Sequence, residues 1–274
     1  MEREICITPR SRTFDLENLW RYRDLIWLLT RRSFVVRYKQ TVLGPAWILL
    51  QPLLSAGMYA LVFGGIAKLD TGGVPKLLFY LTGTGIWGFF SDCVTKNAAA
   101  FTANAAVFGK VWFPRLAVPI ANVLSAVIQL ALQMGLILAA LLLCLPQVQP
   151  NWGSWVGIPL AVMQLGLLGL GTGLAVSALT TRYRDLQVLV QFGMQLWMYA
   201  SPIVYPLSGA KGVLGQILRL NPVSAPVELI RYALLGSGTV DLRSYGLSMV
   251  LTLLTLLAGA GLFSRAEWTF LDTV

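Results

Sequence analysis

The sequence predicts an all-α integral membrane protein with six transmembrane helices, an N-terminal amphipathic interface helix and a re-entrant helical pair between spans 5 and 6. Of the 274 residues, 56% are hydrophobic and 12% are charged, whereas soluble domains carry about 25% charged residues. Mean hydropathy is +0.69. Moreover, the 66 residues from 116 to 181 contain no Asp, Glu, Lys or Arg, which accommodates two spans of about 20 residues each.

Residues 1–46 predict a cytoplasmic N-terminal segment. They contain nine basic and five acidic residues. The segment is too long and too mixed in charge for a secretory signal. A helix is expected over 16–40, capped by Asp15. Its apolar face contains Leu16, Leu19, Trp20, Ile26 and Trp27. Such a helix can lie in the membrane interface or pack on a protein partner, and the adjoining span favours the interface.

Residues 47–274 predict the transmembrane domain. The six predicted spans lie at about 47–67, 77–97, 116–145, 156–180, 187–205 and 244–264, close to the length that crosses a bilayer. Pro52 predicts a kink or a restart in span 1, and Pro119 a kink in span 3, because proline removes a helical hydrogen bond. The glycines at 166, 169, 171 and 173 in span 4 predict close approach of a neighbouring helix.

The segment 207–243 differs from the spans around it. Its apolar runs are too short to cross a membrane, and they predict two helices at about 211–220 and 224–235, separated by Asn221-Pro222. Runs of this length are typical of re-entrant or interfacial segments, whose irregular backbone must be covered by protein or face a water-filled cavity.

The basic residues indicate the orientation in the membrane. With a cytoplasmic N-terminus, 15 of the 21 Lys and Arg residues fall inside and 6 fall outside. This excess predicts that both termini are cytoplasmic. The net charge of +9 therefore belongs to loops between apolar spans and does not indicate a nucleic-acid partner.

The sequence lacks the residues of most catalytic sites. Histidine is absent, which removes the commonest general base and metal ligand, so neither an enzyme nor a metal site is expected. A membrane-embedded transferase is disfavoured for the same reason. No phosphate-binding loop of the G-x-x-x-x-G-K-[ST] type occurs, so any ATP hydrolysis requires another chain.

Asp92 is the one carboxylate expected at membrane depth. Lys96 lies four residues later, so the two are expected to pair on a helix. A local salt bridge is the favoured interpretation. The alternative is an ion site, which would indicate a carrier driven by an ion gradient.

Four motifs in order carry a family resemblance. They are Leu19-Trp-Arg-Tyr-Arg-Asp-Leu25 followed by Arg37-Tyr-Lys-Gln-Thr-Val-Leu-Gly-Pro-Ala-Trp47 and Leu50-Gln-Pro-Leu53; Phe101-Thr-Ala-Asn-Ala-Ala-Val-Phe-Gly-Lys-Val-Trp-Phe-Pro-Arg115; Arg182-Tyr-Arg-Asp-Leu186; and Ser201-Pro-Ile-Val-Tyr-Pro206 followed by Leu220-Asn-Pro222. Together they resemble the type-2 ATP-binding-cassette (ABC) exporter permeases, in the branch that exports polysaccharides and polyol phosphates.

The resemblance implies a permease homodimer in the bacterial plasma (inner) membrane, bound to two copies of a separate ABC ATPase that holds ATP and Mg. The implied substrate is a polymer on an undecaprenyl-diphosphate carrier, either an O-antigen, a capsule or a teichoic acid. It also implies ATPase docking by residues 103–112, for which the candidates are Asn104, Val107, Phe108 and Lys110. Docking is favoured over a solvated loop because Phe108, Trp112 and Phe113 would otherwise be exposed.

Further site residues follow from the resemblance. Arg182, Arg184 and Asp185 are expected either to contact the ATPase or to act as positive-inside anchors. The expected contacts with the lipid diphosphate, or with bulk anionic lipid, are Arg31, Arg32, Arg37 and Lys39. Glu228 and Arg231 belong to the expected external gate. The aromatic candidates for the translocation path, which could instead form an interfacial belt, are Tyr59, Trp87, Phe89, Phe90, Trp197, Tyr199 and Tyr205.

Overall fold

The computed structural model of the chain describes residues 16–39, 41–108, 113–181, 183, 185–210 and 212–271. Every regular element within these ranges is helical. The α-helices are α1 Leu16–Arg21, α2 Arg23–Tyr38, α3 Trp47–Tyr59, α4 Lys76–Ala98, α5 Ala100–Phe108, α6 Ala117–Cys144, α7 Gly157–Thr180, α8 Leu186–Tyr199, α9 Gly212–Leu220, α10 Ser224–Leu235 and α11 Leu242–Leu271.

Five helices in the described part of the chain are long and apolar enough to cross a membrane. They cover Gly44–Ile66, Lys76–Ala98, Ala117–Gln147, Gly157–Thr180 and Leu242–Ala266, and they match predicted spans 1, 2, 3, 4 and 6. Predicted span 5 contains α8, which has 14 residues and is therefore about 21 Å long. That is less than the roughly 30 Å hydrocarbon core, so the six-span count stays a prediction.

α4 lies at the centre of the fold. It packs against α3, α6, α7, α8 and α10, and most of its side chains are buried. Because neighbours surround it, α4 needs no lipid-facing apolar stripe, and it accommodates polar residues such as Thr82 and Asn97 in the protein interior. α4 therefore supplies one wall for any site formed between the surrounding helices.

Glycines bring the backbones of α7 and α11 into direct contact. A Cβ atom placed on Gly171 would lie 2.6 Å from the Leu256 Cα, and one placed on Gly259 would overlap the Gly171 carbonyl group. Gly169 and Gly173 make equally close approaches to Cys93 and Asn97 on α4. The prediction that the glycines of span 4 permit close helix packing is confirmed.

The irregularity in span 1 lies after the proline. Helix α3 continues through Pro52 without interruption, so of the two predicted outcomes, a kink or a restart, the restart is excluded. Instead, a π-helical stretch follows at Ala60–Ile66, and the Lys76 ammonium group donates to the Gly64 carbonyl oxygen. Pro119 lies in the first turn of α6, where its missing N–H breaks no helical hydrogen bond.

The N-terminal helix is divided at Tyr22, between α1 and α2, rather than continuous over 16–40. Its apolar face also divides. Leu19 and Ile26 are buried in a cluster with the start of α6, whereas Trp20 and Trp27 are 72% and 62% exposed. One half of the predicted face therefore packs on the protein, while the other half remains open for a membrane interface.

The segment 207–243 forms two short helices, α9 and α10, separated by Asn221-Pro222 as predicted. α10 is almost wholly buried against α4 and α7. Asp241 then caps α11. Its carboxylate accepts hydrogen bonds from the Ser244 hydroxyl and from the backbone N–H groups of Arg243 and Ser244, which together hold its pKa below the usual value.

Candidate functional site

A cleft of about 240 Å³ lies between α3, α4 and α6, with one residue from α2 and one from α8 at its edge. Gln51, Ser55 and Tyr59 follow one another at four-residue spacing along α3, so they lie on one helix face. Trp87 and Asp92 line the cleft from α4. The remaining lining residues are Arg37, Pro52, Thr84, Gly88, Gln129, Gln133 and Met198.

A charged cluster lies at one end of the cleft. Asp92 accepts from the Arg37 guanidinium group, with 2.8 Å between Nη1 and Oδ2, and from the Lys96 ammonium group at 2.9 Å. The predicted Asp92–Lys96 pair is thus confirmed, and Arg37 is a second partner that the sequence did not indicate. Arg37 also donates to Gln129 Oε1 over 2.6 Å. Two cations and one carboxylate leave this end of the cleft positive.

Two of the aromatic path candidates line the cleft. Tyr59 borders it from α3 and Trp87 from α4. Phe89 and Phe90 are buried behind it, 3% and 0% exposed, with the Phe90 ring 5.4 Å from that of Trp87. Phe90 therefore orients Trp87 from within the core, and neither phenylalanine reaches the cleft.

The remaining aromatic candidates lie near the end of α8. The Trp197 ring contacts Phe90 edge to face at 5.2 Å. Tyr199 is 45% exposed, and its carbonyl oxygen accepts from the Tyr205 hydroxyl over 2.9 Å. None of these three residues lines the cleft, whose α8 lining residue is Met198.

The four basic candidates for the lipid diphosphate are distributed along α2 and the residue after it. Arg31, Arg32 and Lys39 are exposed. Arg37 alone lines the cleft, and it is engaged by Asp92 and Gln129. The structure therefore separates Arg37 from the other three basic residues.

α5 overlaps the first part of the predicted docking segment, at residues 103–108. Asn104 is half-buried, and its amide donates to the Ala100 carbonyl oxygen at 3.0 Å. Phe108 and Phe113 are 9% and 7% exposed, so the argument that they need an external cover was wrong. The Arg115 guanidinium group lies 5.5 Å above the Phe108 ring. These aromatic rings anchor α5 to the body of the protein.

Three docking candidates lie outside the described residues, namely Lys110, Arg182 and Arg184, and so does the side chain of Val107. Asp185 is exposed immediately before α8. One contact joins the two candidate docking regions, since the Gln187 amide of α8 donates to the Thr102 hydroxyl of α5 over 2.6 Å. α5 and α8 are therefore joined directly by a side-chain hydrogen bond.

The two gate candidates, Glu228 and Arg231, are both about 1% exposed. Arg231 donates to the carbonyl oxygens of Pro202 and Ile203, and its Nη1 lies 3.5 Å from Glu228. The Glu228 carboxylate also accepts from the Thr239 N–H at 3.0 Å. This candidate gate pair therefore joins α10 to the turn after α8 and to the loop between α10 and α11.

Gly83 on α4 makes room for the gate pair. A Cβ atom at this position would lie 2.7 Å from Arg231 Nη2 and 2.8 Å from the Ile203 carbonyl oxygen. The guanidinium group also lies 4.0 Å from the centre of the Phe79 ring, a distance that gives a favourable cation–π interaction. α4 thus supports both the gate pair and the cleft.

Asn221 connects the end of α8 to α10. Its amide group donates to the Ala200 carbonyl oxygen and to the Ser201 hydroxyl, both at 2.8 Å. Its carbonyl oxygen accepts from the Trp197 indole N–H at 3.2 Å and from the Val223 backbone N–H at 3.1 Å. All four contacts depend on one side chain. In the sequence analysis Asn221 is noted only as part of the Leu220-Asn-Pro222 motif and between the two short helices, without a role of its own.

We expect Asn221→Ala to loosen the end of α8. The substitution leaves the Trp197 indole without its acceptor, and unpaired buried polar groups cost about 1–3 kcal/mol each. Hydrogen exchange at the amides of residues 197–204 should rise. Asn151→Ala, in the loop after α6, is the matched control, and equal exchange in the two variants would contradict this role.

Sequence reasoning missed the glutamines of the cleft. Gln51, Gln129 and Gln133 all line it, and Gln133 donates to the Ile48 carbonyl oxygen at 3.4 Å. The sequence did contain an indication of their role, because a side-chain amide within an apolar span is costly unless it faces protein or water.

Comparison with known proteins assigns the family. Residues 24–235 match the family model described as ABC-2 type transporter. An O-antigen export system permease protein RfbA from Klebsiella pneumoniae is 26% identical over 256 residues, which cover 93% of this chain and 96% of the relative. A protein of the same name from Myxococcus xanthus is 28% identical over 212 residues, 76% of this chain and 79% of the relative. The chain is therefore a multi-pass membrane protein that belongs to the ABC-2 type transporter family.

Proposed function

We propose that the chain is the permease subunit of an ATP-driven exporter that moves undecaprenyl-diphosphate-linked, O-antigen-like polysaccharide across the bacterial plasma membrane. The names of the relatives from Klebsiella pneumoniae and Myxococcus xanthus support this substrate class. Export of teichoic acid or capsule by the same mechanism is the alternative. The charge distribution supports a cytoplasmic location for both termini.

The observation that carries the proposal is the composition of the cleft. It combines the Arg37 guanidinium group with the rings of Trp87 and Tyr59 and with several amides. Guanidinium groups pair well with phosphate. Aromatic faces and amides suit sugars, which present C–H faces and hydroxyl groups. One cleft thus offers both chemistries that a phosphate-linked sugar requires.

The path itself is proposed to lie between two copies of the chain, along spans 1, 2 and 5. Tyr59 and Trp87 would begin it, and Trp197, Tyr199 and Tyr205 would continue it towards the outer side. Phe89 and Phe90 would support the ring of Trp87 from behind. Stacking on successive rings tolerates sliding, because no fixed set of hydrogen bonds must break at each step.

Coupling to ATP hydrolysis is proposed to occur through residues 103–112 and 182–185. Two copies of a separate ATPase would hold ATP and Mg, and they would press on α5 and the residues after it through Asn104, Val107 and Lys110, while the buried Phe108 ring would anchor α5 to the protein. The Gln187–Thr102 hydrogen bond would pass that movement to α8. The gate pair would control the outer end of the path.

The ion-gradient alternative depends on Asp92. An ion-binding carboxylate needs an ion as its counter-charge, but Asp92 already accepts from both Arg37 and Lys96. The cluster carries a net positive charge, which favours an anionic substrate over a cation. The geometry therefore favours the exporter.

The exporter assignment is tested by purification and export assays. We expect the tagged chain to co-purify with a separate ATPase, and Asn104→Ala to lower polymer export by about fivefold, the effect of losing one interface contact of moderate strength. Gln147→Ala, exposed at the other end of α6, serves as the control. Normal export from cells that lack every partner ATPase would contradict the proposal.

A further inference from the structure

Arg37 holds α2 against α4 through a two-point ion pair. Its Nη1 lies 2.8 Å from Asp92 Oδ2, and its Nη2 lies 3.3 Å from Asp92 Oδ1. This fork-shaped contact is the geometry in which guanidinium groups also bind phosphate. The carboxylate of Asp92 therefore occupies the position that a phosphate group would take on Arg37.

Asp92 has a second cation that does not depend on α2. Lys96 is on the same helix, one turn further along, with its ammonium group 2.9 Å from the Asp92 carboxylate. If Arg37 left, Asp92 would still be neutralised by Lys96. An unpaired charge at membrane depth is costly, and Lys96 avoids that cost because it keeps Asp92 paired when Arg37 leaves.

Arg37 is also the most accessible member of the cluster. Its side chain is 39% exposed, compared with 21% for Asp92 and 23% for Lys96. It lines the cleft together with Trp87 and Tyr59. An anion that approaches the open side of the cleft therefore meets Arg37 before it meets Asp92.

We propose that the Arg37–Asp92 ion pair is a latch that a phosphate group of the substrate opens by replacing the Asp92 carboxylate on Arg37. The inference rests on the proposed function and adds that binding of the substrate phosphate opens the cleft. The phosphate is that of a prenyl-linked substrate, whose first sugar would then lie beside Trp87. Arg37 releases Asp92, Lys96 keeps its ion pair with Asp92, and the cleft opens at the edge where Arg37 lies.

A latch and a simple structural salt bridge differ in what happens when each partner is removed. Arg37→Met removes the phosphate-binding group, whereas Asp92→Asn removes its competitor and leaves Arg37 in place. The latch therefore requires opposite effects of the two substitutions on phosphate binding. A structural ion pair requires effects in the same direction.

The test measures binding of farnesyl diphosphate to the purified chain in phosphatidylcholine nanodiscs by calorimetry. Arg37→Met should weaken binding at least about tenfold, the effect of losing a hydrogen bond to a charged group. Asp92→Asn should strengthen it about fivefold, the effect of removing a partly exposed ion pair. Arg23→Met, which removes the same charge from the exposed start of α2, should change it by less than about twofold.

Two further ligands identify the source of the phosphate. Farnesol, which lacks phosphate, should not bind at this site, and inorganic pyrophosphate, which lacks a lipid chain, should bind much more weakly than farnesyl diphosphate. Equal binding of pyrophosphate would overturn the assignment to a lipid-linked group. Equal binding of farnesol would overturn the role of phosphate.

Hydrogen exchange reports the opening itself. Exchange at the C-terminal half of α2 should rise when farnesyl diphosphate binds, and it should already be raised in Asp92→Asn without ligand. A fall in exchange on binding would show that Arg37 remains on Asp92, and would overturn the latch.

The failure of the latch is distinguishable from failure of the proposed function. The wild-type chain, Arg37→Met and Asp92→Asn should all co-purify with the partner ATPase. If the wild-type chain exports polymer with its ATPase while both substitutions weaken phosphate binding, the latch alone is refuted. If the wild-type chain has no ATPase partner, the proposed function is refuted.

Discussion

Arg231→Met is expected to abolish export and to lower stability by about 3–5 kcal/mol, the cost of breaking a buried ion pair from one side. The substitution leaves the Glu228 carboxylate buried without its cation. It also leaves the carbonyl oxygens of Pro202 and Ile203 without their donor. The measurement is the fraction of monodisperse protein that remains after heating, compared with the wild-type chain.

Two further variants separate loss of the buried ion pair from loss of an arginine in general. Arg243→Met removes an exposed arginine at the end of the same segment, and it should leave thermal stability within about 0.5 kcal/mol. The double variant Arg231→Met/Glu228→Leu should recover part of the loss, because it removes the orphaned carboxylate. If Arg231→Met is as stable as Arg243→Met, the gate pair does not hold the segment together.

Gly259→Val should prevent α7 and α11 from packing. Even one added methyl group would overlap the Gly171 carbonyl group, and the opposing atoms are backbone, which cannot rotate away. Overpacking in a core typically costs about 1–3 kcal/mol, and a clash with backbone lies at the upper end of this range. Loss of folded protein from detergent extracts, measured by size-exclusion chromatography, is the expected result.

The control for this variant lies on the same helix. Gly261 has no atom within 4 Å of the position that its Cβ would take, and it is exposed on the outer face of α11. Gly261→Val should therefore leave the yield of folded protein unchanged. Equal yields from Gly259→Val and Gly261→Val would show that α7 and α11 are not in close contact.

The spans and their glycines could be predicted because each depends on local sequence. A run of apolar residues must be helical in lipid, since every backbone hydrogen bond has to be made internally. Small residues at helical spacing likewise imply a close neighbour. Local sequence therefore predicted the five spans and a close helix neighbour for α7, but it did not identify α11 as that neighbour.

The cleft depends on contacts between residues that are far apart in the sequence, so it could not be predicted from local sequence patterns. Arg37 and Asp92 are 55 positions apart, so helical periodicity says nothing about their contact. The pair Asp92–Lys96 was predictable because it lies within one turn. The burial of Phe108 and Phe113 was missed for a similar reason, since the cluster that buries them includes Phe263 of the distant helix α11.

The contact between α7 and α11 has a mechanical consequence. Two helices whose backbones touch at Gly171 and Gly259 can neither slide nor rotate past each other without a loss of packing along the whole crossing. α8 is attached to its neighbours partly through exchangeable hydrogen bonds, such as Gln187 to Thr102. α2 packs along α6, and its C-terminal end is joined to α4 through the Arg37–Asp92 ion pair. We therefore expect α7 and α11 to stay stationary throughout the transport cycle, and α3, α8 and the C-terminal end of α2 to carry the motion.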